Sequence, residues 1–384
     1  MTRPLRLKKN ADRRLKSGHL WLYSNEIDIA ETPLKGLEVG EQVIVEAANG
    51  KPMGLAYVNP NSLICARIVS RDPSMRLDRS LLVHRLNQAL ALRQSLFDKP
   101  FYRLVHGEAD LLPGLVIDRY AEVLVVQLNT AGMEAVKDEL LDALDKVLSP
   151  ACVVLRNDTS GRRQEGLSEV VEVVKGELPE QVLLEENGVQ FAAPVLDGQK
   201  TGWFYDHRIN RAWLNQRVAG KRVLDLFSYV GGWGVQAAAH GASEVLCVDA
   251  SESALDRVAE NAALNGQHER VAVGHGDAFE ALGGVALGGG AVVVKPSAIY
   301  GTRHTESGYP IPLAPVMAPL SYALRIGRPV TGFVTGLAPS LLDGLLEPPV
   351  PVHAVAQTVV DACLQEEYEE GFVALGVEAI LERC

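Results

Sequence analysis

Residues 223–249 read VLDLFSYVGGWGVQAAAHGASEVLCVD, and this stretch decides the fold. Val223, Leu224 and Leu226 form a short apolar run, the pattern of a strand buried on both faces. Gly231, Gly232 and Gly234 follow, and residues without a Cβ let the backbone turn tightly and approach a ligand closely. Val235 to His240 reads as the start of a helix, with Gly241 as its natural stop. Glu244 to Val248 reads as a second buried strand, closing on Asp249. Such a strand, glycine turn, helix and strand can hold a nucleotide over the turn, at the helix N-terminus. The acid after the second strand is then placed to hold ribose hydroxyls.

The acids decide which nucleotide. Gly232-Trp233-Gly234-Val235-Gln236-Ala237 fits the dinucleotide pattern G-x-G-x-x-G/A, so NAD(P) is a competitor. Asp225, however, stands at the end of the first strand, where a carboxylate repels a pyrophosphate but suits a ligand carrying an amino group and a sulfonium. Gly276-Asp277-Ala278-Phe279 follows another short apolar segment, and an acid there can reach an adenine amino group. The arrangement suits S-adenosylmethionine. The expected donor contacts within this fold are Asp225, Phe227, Gly231, Gly232, Asp249, Asp277 and Ala278. The plain alternative is a glycine turn with solvent-facing acids.

The chain has 384 residues, more than one ordinary core needs, so two or three domains are expected. With 47% hydrophobic and 22% charged residues it has the make-up of a soluble globular protein. No apolar run approaches the roughly 20 residues that cross a membrane. The N-terminal segment is basic but lacks the apolar centre of a signal peptide. Cys65, Cys152, Cys247, Cys363 and Cys384 are scattered, which points to a reducing cytoplasm and away from a zinc site or disulfide frame. The net charge of −11 argues against wholesale nucleic-acid binding, yet residues 1–110 carry +5 and the remainder −16. Any polyanion contact is therefore expected at the N-terminal end.

Residues 1–72 read as a small β-rich module, with strand-like segments at Gln42–Glu46, Gly54–Val58 and Leu63–Ile68. Lys8, Lys9, Arg13, Arg14 and Lys16 crowd one segment, and His19, Trp21 and Tyr23 follow at alternate positions. Basic residues interleaved with aromatics suit RNA, charge for phosphates and rings for stacking. A solvated basic segment with Trp21 in a core is an equal reading. Residues 73–183 read as a middle α/β unit. It has a helix over Leu81–Phe97 and strands at Tyr102–His106, Leu115–Tyr120 and Val123–Leu128. A helix over Ala131–Leu148 and a strand at Cys152–Arg156 complete it. His106, Glu108, Asp110 and Asp118 resemble a metal cluster but read more simply as the polar rim of a hairpin. Residues 184–290 carry the nucleotide fold, preceded by Gln199-Lys-Thr-Gly-Trp-Phe-Tyr-Asp-His-Arg208, a loop expected to pack over the ligand pocket.

The segments LKKNADRRLKSGHLWLYSNEI, GEADLLPGLVIDRY, QKTGWFYDHRINR and VLDLFSYVGGWGVQAAAHGASEVLCVDAS occur in that order. Over residues 1–282 the chain closely resembles the class I methyltransferases that modify large-subunit ribosomal RNA at cytosine C5. The resemblance implies an N-terminal RNA-binding PUA domain, a central α/β domain and a C-terminal Rossmann-like methyltransferase domain. It implies ribosomal RNA as partner, with Lys8, Arg13, Arg14, His19 and Trp21 facing it. It also implies that Lys200, Thr201, Gly202, Phe204 and Asp206 border the donor pocket. The oligomeric state stays open, a homodimer included.

The last third departs from that family. The resemblance calls for Asp-Pro-Pro after strand four and a nucleophilic Cys beyond it, because cytosine C5 attacks a methyl donor only after a thiolate adds at C6. Here the segment reads Val292-Val-Val-Lys295-Pro296-Ser297, Cys363 lies in a helical pattern, and Cys384 is the last residue. The catalytic residues are thus unassigned, and donor binding with weak or no C5 methylation is expected. Residues 291–384 hold 10 of the 20 prolines but only 5 of the 37 Lys and Arg. They resemble the C-terminal part of an atypical short-chain dehydrogenase/reductase. A fusion of two families across a shared Val-Val-Val-x-Pro strand is expected, joined near Gly283–Gly290, with a strand at 291–295 and helices near 316–326 and 353–366 in an atypical tail. A single divergent methyltransferase, a non-catalytic RNA-binding protein and an NAD(P)-binding reductase-like protein stay as alternatives.

Overall fold

The structure is a computed structural model. It describes residues 2–277 and the short segments 291–294, 299–300, 302–304, 310–312, 350–351 and 372–375. Ala278 and the predicted helices of the last third lie outside the described residues, as do Lys295, Pro296, Ser297, Cys363 and Cys384. Residues Met1–Ala281 form one compact unit and Leu282–Cys384 a second.

The N-terminal part is a five-stranded sheet of order β1-β3-β4-β5-β2. Its strands are β1 (Arg3–Arg6), β2 (Trp21–Tyr23), β3 (Gln42–Glu46), β4 (Pro52–Val58) and β5 (Ile64–Ser70), and a short helix α1 (Asp12–Lys16) links the first two. Leu5, Val43, Val45, Ala56, Val58 and Ile68 fill its core. Period-two burial along β3 is the alternation that made that strand legible.

Helix α2 (Arg79–Leu96) then leads into a second five-stranded sheet of order β10-β9-β8-β7-β6. It comprises β6 (Phe101–His106), β7 (Leu115–Tyr120), β8 (Val123–Leu128), β9 (Cys152–Asn157) and β10 (Val170–Lys175). Only β8 and β9 run parallel, because a helical crossover joins them. The helix expected over Ala131–Leu148 is two, α3 (Ala131–Ala135) and α4 (Lys137–Leu148), broken at Val136 with φ −114° and ψ 26°. One turn earlier, Gly132 packs so closely on the Tyr57 ring that a Cβ there would overlap it. A short helix α5 (Ser160–Gln164) precedes β10.

Both faces of the central strands β7, β8 and β9 are buried. Leu104, Ile117, Leu124, Val126, Val153 and Leu155 meet α2 and α4 on one side. On the other, Tyr120, Val125 and Val154 share a core with Phe191, Trp203, Val230, Val235 and Val245. That second core runs continuously into the nucleotide-fold residues. It comprises the hairpin β11 (Leu183–Glu186) and β12 (Val189–Ala192), helix α6 (Arg208–Asn215), and a parallel sheet. The sheet has the order β13-β14-β15 among the described residues of this unit, with β13 (Arg222–Leu226), β14 (Glu244–Asp249) and β15 (Val271–His275). Helices α7 (Gly234–Ala239) and α8 (Glu252–Leu264) connect them. The strand expected to be buried on both faces, β13, is not. Asp225 is its one buried residue, while Val223, Leu224 and Leu226 are half-buried. Nor is β15 a buried strand, since Ala272 and Val273 are exposed. In the last third, Ala291–Val294 pairs in parallel with Phe372–Leu375, so the strand expected at 291–295 forms.

Candidate functional site

The parallel register sets three strand tips side by side. Leu226 pairs with Val248, and Asp249 with His275. The Gly276 amide donates to the Asp249 carbonyl at 3.2 Å, which brings Asp277 to the same edge. Ligands of open parallel sheets lie beyond the carboxyl ends of the strands, and all three predicted acids are there.

The segment from 227 to 232 is bent hard. Phe227 (φ 58°), Tyr229 (φ 52°) and Gly231 (φ 80°) all lie in the left-handed region. Two bulky aromatics held there store strain of about 1–3 kcal/mol each, which the surroundings must enforce. For Tyr229 the enforcing contacts are visible. Its amide donates to Asp249 Oδ2 at 2.9 Å, and its hydroxyl accepts from the Gln199 amide at 2.9 Å and donates to the Gly202 carbonyl at 3.3 Å. Phe227 is 71% exposed.

The glycines are also required by packing. A Cβ on Gly231 would stand 2.8 Å from Val235 Cγ2, and one on Gly232 would stand 3.1 Å from Trp203 Cη2. A Cβ on Gly234 would strike the Cys247 sulfur. The bend is thus pressed onto α7, α8 and Trp203 from beneath.

Asp225 is buried rather than solvent-facing, and its Oδ2 accepts the Gly234 amide at 2.9 Å. Burial pushes its carboxyl up to about 7 from an ordinary 3.8, with the Asp249 charge adding to the rise and the Gly234 amide and Arg211 opposing it. Asp249 is half-buried and accepts the Ser251 amide on Oδ1 at 2.9 Å in addition to Tyr229 on Oδ2. A carboxylate has about four lone-pair sites, so Asp249 keeps acceptor capacity for a diol. Ser228, in the middle of the bend, is 3% exposed, and its Oγ has no hydrogen-bond partner among the described residues. Buried hydroxyls are normally satisfied, so this one fits a site completed by a bound polar group.

The loop before α6 divides. Gly202 (φ 105°) and Phe204 face the bend, the latter with its ring 5.6 Å from Tyr229, edge to face, and with Lys200 Nζ 4.4 Å above it. Thr201 is fully buried, its hydroxyl donating to Asp118 and its carbonyl accepting from Tyr120. Asp206 lines a cleft of about 360 Å³ with Leu92, Leu96, Tyr102 and Arg103. Its carboxylate also lies 3.7 Å from His207 Nε2, and the His207 ring meets that of Phe204 at 6.1 Å.

The polar rim of the hairpin is committed to structure. Arg93 grips Asp110 with two bonds, Arg103 grips Asp118 with two, and Glu108 accepts the Trp21 indole N–H at 2.7 Å. Trp21 is therefore not a core residue; it is half-buried and its indole N–H bridges to that hairpin. Lys8, Arg13 and His19 are exposed, while Arg14 lies 4.9 Å over Tyr23 and 3.4 Å from Glu26. The described cysteines, Cys65, Cys152 and Cys247, are buried, and burial pushes all three thiols up. None of these three is a ready thiolate. Sequence reasoning missed Glu186. It had two signals: an acid on the inward face of an alternating hairpin strand, and Arg208 and Arg211 one helical turn apart.

Comparison with known proteins agrees with this geometry. A PUA-like domain family matches residues 5–71, and an S-adenosylmethionine-dependent methyltransferase family matches residues 103–302. The second match runs past the strand at 291–294, where the sequence suggests a change of family, and the reductase-like reading of the tail gains no support. The ribosomal RNA large subunit methyltransferase I of Aliivibrio fischeri is 39% identical over 269 residues, covering 69% of this chain and 67% of that protein. The Vibrio cholerae protein of the same name is 39% identical over 271 residues, with the same coverage. Among solved structures, a SAM-dependent methyltransferase from Streptococcus mutans superimposes with a TM-score of 0.64 at 22% identity over 77% of each chain. A methyltransferase complexed with SAH gives 0.65 at 20% identity, over 83% of this chain and 81% of that one. These two share the fold. No helix of the described residues is long and apolar enough to cross a membrane. Acidic strand tips, the strained bend and the matched families together make the chain a member of the S-adenosylmethionine-dependent methyltransferases, carrying a PUA-like domain at its N-terminal end.

Proposed function

We propose that this methyltransferase acts on ribosomal RNA in the cytoplasm, with cytosine C5 as its ancestral target and weak or no C5 transfer by this chain. The observation that carries the donor half is the pair of carboxylates, Asp225 and Asp249, at neighbouring strand tips beside a Ser228 hydroxyl that has no partner among the described residues. The donor supplies a methyl group on a sulfonium. Asp225 and Ser228 would hold its amino-acid end and Asp249 its ribose. Asp277 and Ala278 would border adenine, and Phe227, Gly231, Gly232, Lys200, Thr201, Gly202 and Phe204 the rest of the pocket. Asp206 belongs to this set by resemblance, and its carboxylate lies 3.7 Å from His207 Nε2 next to Phe204.

The RNA half rests on the relatives' substrate and on the exposed Lys8, Arg13 and His19 of the PUA-like domain, with Arg14 and Trp21 beside them. The working division is 1–72 for RNA, 73–183 as the central α/β domain and 184–384 for the donor. Weak C5 chemistry follows from Lys295 standing where the Asp of Asp-Pro-Pro is expected, and from the buried thiols of the described cysteines. The test is incubation of purified protein with ribosomal RNA and S-adenosylmethionine, followed by nucleoside mass spectrometry and donor calorimetry. Donor binding with little 5-methylcytosine is expected. Abundant 5-methylcytosine would overturn the claim of weak transfer, and no donor binding would overturn the whole reading.

A further inference from the structure

We propose that Glu186 is a positioning residue for the donor, a role that rests on the reading of the donor site above. Its carboxylate ties α7 to the 203–211 segment and so sets the shape of the bend. The side chain is fully buried at the end of β11. It accepts from Trp203 Nε1 at 3.1 Å, Arg208 Nε at 3.4 Å, Arg211 Nε at 2.6 Å and an Arg211 terminal nitrogen at 3.2 Å, and from Gln236 Nε2 at 3.0 Å.

The two arms of this knot reach opposite sides of the bend. On one side, Arg211 is 3% exposed and donates to the Phe204 carbonyl at 2.7 Å. Its guanidinium stacks 4.7 Å over Trp203 and 5.8 Å over Trp233, and one terminal nitrogen lies 3.4 Å from where a Gly232 Cβ would be. On the other side, Gln236 sits in α7, two residues after the Gly234 amide that Asp225 accepts, and its carbonyl accepts from Asn187 and Asn215 at 2.9 Å each. One carboxylate therefore fixes Phe204, Trp203, Trp233 and the start of α7 relative to one another.

Buried ion pairs are weak contributors to stability, because desolvation offsets most of the attraction, and apolar replacements of equal volume often hold a fold as well. What an apolar group cannot supply is direction: five N–H vectors converging on two oxygens specify a single arrangement of loop and helix.

The experiment measures S-adenosylmethionine affinity by calorimetry, with thermal unfolding, for the full chain and for Glu186→Gln, Arg211→Lys, the double variant and Asp249→Ala. Glu186→Gln should bind the donor roughly tenfold more weakly while still folded, as misplacement of a pre-formed site does. Arg211→Lys keeps the charge but loses the fork, so it should fold even where Glu186→Gln does not, and it should weaken binding at least about threefold. The double variant should be no worse than the weaker single, since both break one linkage. If Asp249→Ala weakens binding while folded Glu186→Gln and Arg211→Lys bind as the unaltered chain does, the positioning role is wrong. If Asp249→Ala also binds normally, the donor site itself is wrong.

Discussion

Replacing Asp249 by Ala removes the acceptor at the second strand tip. In the structure this carboxylate accepts the Tyr229 and Ser251 amides, each at 2.9 Å. That leaves about two lone-pair sites for a ribose diol. Losing one or two charge-assisted bonds to the donor costs about 1–3 kcal/mol, or roughly 5- to 150-fold in Kd. The two freed amides sit at a half-buried site where water can replace the carboxylate, so the accompanying loss of stability should stay near ~1 kcal/mol. Calorimetric titration with S-adenosylmethionine reads the first quantity, and urea unfolding reads the second. A folded variant with donor affinity within about twofold of the unaltered chain would refute the reasoning, because the ribose would then lie elsewhere.

Asp225 should make donor binding pH-dependent. Its folded carboxyl titrates at about 7, above the ordinary 3.8 of the unfolded chain, so the folded state holds the extra proton between those values. Stability should therefore fall as pH rises through that window, and Asp225→Asn should be the more stable protein at pH 8, by up to a few kcal/mol. Donor affinity should run the other way, weakening about tenfold per unit below pH 7 because the proton must leave first, with Asp225→Asn giving a flat profile. Gly231→Ala, at φ 80° with Val235 Cγ2 only 2.8 Å from the new methyl, should lose about 1–3 kcal/mol of stability in thermal unfolding. Lys8→Ala with Arg13→Ala should weaken binding of a ribosomal RNA fragment and lower the slope of log affinity against log salt by about 0.7–0.9 for each phosphate that is no longer neutralised.

Much of the fold was legible because local patterns carry it. Alternation exposed β3, the 3.6-residue spacing exposed α2, and the run from Val223 to Asp249 exposed a strand, a glycine turn, a short helix and a strand. The strand β10 escaped notice because only partial burial stands behind its Val-Val-Glu-Val-Val sequence, and α3 and α4 merged because the apolar spacing runs across Val136 without a glycine or proline to mark the break. The site was legible as a set of residue types and positions, not as a network. Sequence placed Asp225 and Asp249 at strand tips, but not the Gly234 amide that Asp225 already holds, nor the Tyr229 amide on Asp249. Glu186, Trp203, Arg211 and Gln236 were invisible together, since their contacts join segments 17, 25 and 50 residues apart.

The most direct test is a crystal structure of the chain with S-adenosylhomocysteine. Density lying over residues 227–232, with the ribose diol on Asp249 and the amino group near Asp225, is the predicted result. Density in the Arg103–Asp206 cleft, or anywhere away from the three strand tips, would contradict the account.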